Sequence, residues 1–183
     1  MNAVVRFALA AAVLLGCAVT ASAANEARQF DFLVGQWELS GEIKVSGLVA
    51  LIHGQPKLAG SWRAWRTADG SGIEDDMKLT DASGNPTTSV HFQRTFSREE
   101  NCWKITGNDA NRGALQAATG RWQGDQMLVM GSGTSQEGKR YQTRTHYLAI
   151  TPASFRMVQD RSFDDGKTWD DAVVTLNARR TGG

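Results

Sequence analysis

The sequence predicts an all-β protein folded as a single antiparallel barrel of about nine or ten strands, and three observations support this fold class. Apolar and polar residues alternate with a period of two over much of the chain. Turn residues recur about every 10 to 15 positions, a spacing typical of strands joined by hairpins. Beyond the beginning of the chain no window carries the 3.6-residue apolar period of a helix, and no linker or internal repeat divides the sequence.

Residues 1–23 are predicted to be an export signal. Arg6 supplies the positive start, an apolar run extends to Val19, and Ala21-Ser22-Ala23 is a small-x-small cleavage site. The apolar run is shorter than the roughly 20 residues that a membrane-spanning helix needs. Leu14-Leu15-Gly16-Cys17 resembles a lipoprotein box, which keeps a lipid anchor at Cys17 open as the alternative. We therefore expect a periplasmic or secreted protein, with an outer-membrane lipoprotein as the second possibility.

Residues 24–183 form one predicted domain with balanced charge. The chain has 20 basic and 19 acidic residues, so loss of Arg6 with the signal leaves a formal net charge of zero. A neutral domain gives no basis for electrostatic capture of nucleic acid or of an anionic membrane. Cys102 would then be the only thiol, which excludes an intrachain disulfide, and we expect it to pack as a small buried hydrophobe.

The alternation is clearest in four predicted strands. Their core-facing positions are predicted to be Ile73, Asp75, Met77 and Leu79, then Val90, Phe92 and Phe96, then Phe155, Met157 and Phe163, and last Ala172, Val174, Leu176 and Ala178. Closure of the sheet is expected because it removes exposed strand edges. Residues 42–59 give the weakest signal. They read either as a long first strand with a mobile loop at the barrel mouth or as two short strands with a bulge.

Residues 30–37 read F-x-F-L-x-G-x-W, which predicts a short helical turn that leads into the first strand. Together with residues 65–76, 119–125 and 150–169, this stretch resembles a bacterial family of secreted, lipocalin-like (calycin-like) domains of unknown function. The resemblance implies a barrel with one end closed by the helical turn, and it brings no activity. In lipocalins the Trp after the Gly packs under the barrel floor against a cation of the last strand. By this resemblance Gly35 and Trp37 would form the floor, capped by Arg179 or Arg180.

Residues 162–169 match the S-x-D-x-G-x-T-W pattern of the Asp boxes in sialidase propellers. A propeller needs several copies at a fixed period, and this chain has one. We therefore expect a structural hairpin instead of a glycosidase. Asp164 would accept backbone N–H groups of the turn, Gly166 would supply a positive φ, and Trp169 would clamp the base.

Trp65, Asp75, Met77, Trp103 and His146 are the predicted lining of a ligand cavity. An unpaired carboxylate on the inward face would be costly, so Asp75 should either meet a cation (Arg94, Arg156 or Arg161) or line a wet cavity. The three His residues lack metal-binding spacing, so neither a metal nor a cofactor is expected. A haem held through His146, as in nitrobindin-like barrels, is the alternative.

These features predict an exported barrel that binds a small apolar or amphipathic molecule. Two other classes of function remain open at this point. One is a small barrel enzyme of the isomerase, cyclase or hydrolase type with Asp75 as its acid-base group. The other is a structural or interaction protein of the envelope with a fully packed interior.

Overall fold

The computed structural model describes residues 26–45, 47–111, 113–135 and 137–182. The predicted export signal and Cys17 lie outside the described residues. The elements in chain order are a 3₁₀ turn (Asp31–Leu33), β1 (Gly35–Ile43), α1 (Gly47–His53), β2 (Lys57–Arg66), β3 (Gly72–Asp81), β4 (Pro86–Ser97), β5 (Cys102–Asp109), β6 (Gly113–Ala114), β7 (Ala118–Gln123), β8 (Gln126–Thr134), β9 (Arg140–Leu148), β10 (Ser154–Ser162) and β11 (Asp170–Gly182).

Ten of these strands form a closed antiparallel barrel, which confirms the predicted fold class. Each strand pairs with its neighbours along the chain, β1 pairs with β11, and pairing between β4 and β5 completes the circle. The two-residue strand β6 lies beside β5 and adds no further wall. Because every wall strand has two partners, the closed barrel leaves no long unpaired edge.

The barrel has two different ends, which we call the floor and the mouth. The floor is the end at which β1 begins, with the 3₁₀ turn packed into it. The mouth is the end at which β1 finishes. It carries α1 and the connections from β3 to β4, β5 to β7, β8 to β9 and β10 to β11.

The segment between β1 and β2 differs from both predicted alternatives. A seven-residue helix, α1, occupies residues 47–53 where a strand or loop was expected, so this prediction was wrong. The side chains of Val49, Leu51 and Ile52 are exposed, with Leu51 at 83% and Ile52 at 66%. A helix of seven residues is too short to show a clear 3.6-residue apolar period in the sequence.

The core fills the floor half of the barrel with aromatic side chains that meet edge to face. Trp37 lies 4.8 Å from Phe155, and Phe30 lies 5.1 Å from Trp103, measured between ring centroids. Such contacts add about 0.5 to 1.5 kcal/mol each beyond the area they bury. Cys102, the cysteine among the described residues, is buried. Phe163, predicted to face the core, is 42% exposed because β10 ends one residue before it.

Candidate functional site

Trp37 is buried at the floor beneath the guanidinium of Arg180. Its indole nitrogen donates a hydrogen bond of 2.7 Å to the carbonyl of Leu33, and the Arg180 Cζ lies 4.1 Å from the ring centroid. Arg180 also donates from Nη1 to the carbonyl of Val34 (2.8 Å) and from Nε to the carbonyl of Pro152 (2.6 Å). Of the two cations considered for the cap, Arg180 occupies the position, while Arg179 is exposed on the outer face.

Two structural constraints require glycine at position 35. Its φ is +132°, in a region that essentially only glycine adopts. A Cβ at this position would also collide with Nη1 of Arg180. The Gly-x-Trp spacing therefore lets the Arg180 side chain reach over the Trp37 ring.

Asp75 is fully buried and paired with Arg94, the first of the three cations considered for it. Arg94 donates from Nε to Oδ2 (2.5 Å) and from Nη2 to Oδ1 (3.1 Å), and Trp62 Nε1 donates to Oδ1 (2.8 Å). The Arg94 guanidinium also lies 5.0 Å from the ring centroid of Phe30. Both charges are thereby neutralised within the core, as a buried pair requires.

Asp75, Arg94, Trp62 and Tyr147 form a buried layer across the barrel, and the charges within this layer interact. Burial acts to lower the pKa of Arg94, but the adjacent Asp75 carboxylate outweighs it and raises that pKa above its usual value. Burial raises the pKa of Tyr147, with Arg94 opposing the change. At neutral pH Arg94 is therefore a charged guanidinium and Tyr147 is a neutral phenol.

A cavity of about 450 Å³ extends from this layer toward the mouth. Its apolar wall includes Trp62, Met77, Val90, Phe92, Ile105, Leu115, Val129 and Met157. Its polar groups include Thr88, Arg94, Asp109, Tyr141, Thr143, Thr145 and Gln159. Gln159 donates a hydrogen bond to the Thr145 hydroxyl (3.1 Å), so part of the polar wall is held in place by the barrel itself.

Of the five predicted lining residues, only Met77 lines this cavity. Asp75 lies behind the wall, covered by Trp62 and Arg94. Trp103 is fully buried in the floor, packed between Phe30 and Phe96, and so is below the cavity.

Trp65 and His146 lie on the outer face of the barrel, so their prediction as cavity residues was wrong. Trp65 is three positions from the inward Trp62, and its indole donates to Glu74 (3.2 Å). His146 lies between the inward Thr145 and Tyr147, and its ring nitrogens contact Gln126 (2.9 Å) and Asp160 (3.3 Å). Adjacent strand residues face opposite sides, so one wrong choice of face misplaced each residue.

The outward position of His146 does not fit a haem held inside the barrel, because both of its nitrogens are occupied on the outer face. Its neighbour Asp160 belongs to a surface network in which Arg144 donates to it (2.6 Å). Burial acts to raise the pKa of Asp160, but the Ala172 N–H and Arg144 lower it overall. Within the described ranges, no group of three or more His, Cys, Asp and Glu residues is placed to hold a metal ion.

Sequence reasoning missed the polar wall formed by β9. Tyr141, Thr143 and Thr145 line the cavity, although none of them was among the predicted lining residues. The alternation of hydroxyl-bearing residues with Gln142 and Arg144 was a usable signal. This alternation did not show which face of β9 points inward, because neither face is uniformly apolar at the mouth end of the strand.

The hairpin between β10 and β11 has the local structure expected for its motif. Asp164 accepts hydrogen bonds from the Thr168 N–H (2.9 Å) and hydroxyl (2.7 Å), which with the Ser162 hydroxyl lower its pKa to about 2. Gly166 has φ +82°, and Trp169 donates to its carbonyl (3.1 Å).

The fold and the cavity together define a closed, lipocalin-like β-barrel with space for a small molecule. No protein-family model matches the chain, and no curated protein is detectably similar to it. The resemblance to secreted lipocalin-like domains therefore stays a prediction. None of the helices among the described residues has the length and apolar character needed to cross a membrane.

Two of the solved structures that are similar to the chain illustrate the fold. The S-type phycobiliprotein lyase CPES from Guillardia theta is 11% identical, with a TM-score of 0.55 over 87% of this chain and 97% of its own. A structure of EF1p2_mFAP2b bound to DFHBI is 10% identical, with a TM-score of 0.44 over 85% of this chain and 99% of its own. At these identities the first similarity shows the fold alone.

Proposed function

We propose that the protein binds a small molecule with an apolar body and a few polar groups inside the barrel. The observation that carries the proposal is the cavity of about 450 Å³. Small-molecule sites commonly have volumes of about 300 to 1,000 Å³, a mainly apolar lining and a small number of placed polar groups. The cavity of this barrel has a volume in that range, and its lining combines an apolar wall with polar groups carried by the strands.

The two other classes of function are less well supported. An enzyme with Asp75 as its acid-base group needs a carboxylate that a ligand can reach. Here both carboxylate oxygens are occupied by Arg94 and Trp62, and the residue has no exposed surface. A structural protein with a packed core would not leave a cavity of this size. We retain export to the periplasm or beyond as part of the proposal, supported by the signal-like pattern of residues 1–23.

Binding can be tested with N-phenyl-1-naphthylamine, a neutral probe that fluoresces in apolar surroundings. We expect saturable binding at one site. Thr143 lines the cavity, so Thr143→Phe should occupy part of the space and weaken binding at least about tenfold, about 1.4 kcal/mol. The matched control is Ser61→Phe, which adds the same ring to an exposed position on β2.

The control should retain wild-type affinity. Melting temperatures of both variants should be measured first, because overpacking can cost about 1 to 3 kcal/mol. Wild-type protein that shows no saturable binding, or a Thr143→Phe variant that folds and binds as wild type does, would refute the proposed cavity site.

A further inference from the structure

Arg161 lies at the mouth end of β10, beside residues that line the cavity. It lies opposite Thr143 in the register between β9 and β10, and directly opposed residues of an antiparallel pair point to the same side of the sheet. Thr143 lines the cavity, as does Gln159, which precedes Arg161 by two residues on β10. The Arg161 guanidinium packs 4.7 Å from the ring centroid of Tyr141, another cavity residue.

Arg161 lacks an anionic partner. It makes no ion pair and no side-chain hydrogen bond with any residue that the structure describes, and its Nε is buried without an acceptor. Buried N–H groups nearly always have an acceptor, so an unpaired one requires an explanation. Arg94, the arginine of the cavity wall, differs because Asp75 neutralises it.

The surroundings of Arg161 favour an anion from outside the protein. The Lys139 amine lies 4.7 Å from the Phe163 ring, which in turn contacts Tyr141 at 5.8 Å, so a second cation stands at the same rim. The nearby carboxylates are already engaged. Asp170 binds Lys44 (2.6 Å), and Asp164 accepts the hydrogen bonds of its own turn.

The other charged residues of the cavity wall lie away from Arg161. Asp109, the acidic residue of the lining, lies on β5, four strands from β10 in the sheet order. At the inner end, the paired charges of Asp75 and Arg94 cancel each other. An acidic group is thus best held at the mouth beside Arg161, with the apolar body directed inward against Met77 and Met157.

We propose that the ligand of this barrel is an anionic amphiphile, whose carboxylate, sulfonate or phosphate group accepts hydrogen bonds from Arg161 at the mouth. This inference rests on the proposed function and specifies the class of molecule. A guanidinium suits this role because its N–H groups form a planar fork that matches such acidic groups.

Two probes of similar shape distinguish recognition of an anionic group from general binding of an apolar molecule. 8-Anilinonaphthalene-1-sulfonate carries a sulfonate on the scaffold of the neutral N-phenyl-1-naphthylamine. In the full-length protein we expect Arg161→Gln to weaken binding of the sulfonate about tenfold and to change binding of the neutral probe less than twofold. The matched control is Arg156→Gln, an exposed residue on the outer face of the same strand, which should affect neither probe.

The possible outcomes distinguish the two proposals. Absence of binding of both probes to wild-type protein overturns the proposed function, and this inference falls with it. Binding of both with no selective loss of the sulfonate in Arg161→Gln overturns the inference alone. If Arg161→Gln does not fold, Arg161→Lys keeps the charge without the planar fork, and an unchanged affinity for the sulfonate in that variant overturns the role of Arg161.

Discussion

The floor and the mouth of this barrel differ in whether their polar and apolar side chains have partners within the protein. At the floor the cation Arg180 contacts backbone carbonyls and an indole ring, and Trp37 is almost fully buried. At the mouth Arg161 has no counter-ion, and Leu51 and Ile52 face solvent. The difference shows that these groups of the floor are paired and packed within the protein, whereas the mouth leaves a buried N–H group and large apolar side chains without protein partners among the described residues.

The largest expected effect on the free energy of unfolding comes from a substitution in the layer that contains Asp75 and Arg94, between the floor half and the mouth half. Asp75→Asn leaves the Arg94 guanidinium buried without a counter-charge, and loss of one partner of such a pair costs about 3 to 5 kcal/mol. Urea denaturation of the wild type and the variant gives the free energies of unfolding, and their difference is this cost. Asp76→Asn is the control, because Asp76 is half-exposed and pairs with His91 on the outer face, where a pair contributes at most about 1 kcal/mol. A loss below that value for Asp75→Asn would show that the layer does not stabilise the barrel.

The next largest effect on stability is expected from substitution of a glycine at the floor, and it can be compared with the same substitution of a glycine at the mouth. Gly35→Ala forces an unfavourable φ and displaces Arg180 from Trp37, so we expect about 3 kcal/mol of destabilisation. Gly54→Ala at the mouth also imposes a positive φ, but its Cβ would meet open space, so about 1 kcal/mol is expected. Chemical denaturation gives both values, and equal losses would contradict the special role of the floor.

The smallest effect concerns pH and the hairpin at the mouth. The pKa of Asp164 is lowered from 3.8 to about 2, so its contribution to stability is complete above about pH 4 and is lost as the pH falls toward 2. Wild type should therefore melt at a higher temperature than Asp164→Asn at pH 6, with the gap closing between pH 4 and pH 2. Asp165→Asn, which changes the next residue of the same turn, is the control. A gap that does not change with pH would contradict this role for the carboxylate.

The fold was predictable because its signals are local and repeated. Period-two alternation placed Ile73, Met77 and Leu79 on the inner face, and all three are buried. The Gly-x-Trp sequence at residues 35–37 indicated the closed end, and the resemblance supplied the idea of a cation over Trp37. The Gly-x-Trp sequence and the resemblance do not distinguish Arg179 from Arg180. That choice depends on which face of β11 turns inward at its last residues.

The site was less predictable because it depends on which face of a strand turns inward. Trp65 and His146 were misplaced by a single choice of face, and the hydroxyl wall of β9 was missed for the same reason. Arg161 was considered only as a partner for Asp75. Its exclusion from that role follows from the three-dimensional position of Arg94, which reaches Asp75 from the adjacent strand β4.

The pairing of β1 with β11 has a practical consequence for experiments on surfaces. Gln36 lies opposite Gly182, so the beginning of the first strand and the end of the last strand leave the barrel together at the floor. A linker joined ahead of residue 26 or after residue 182 would tether the molecule by its closed end. Protein immobilised through either linker should hold its open end toward the solution, with access for dissolved molecules unobstructed by the support.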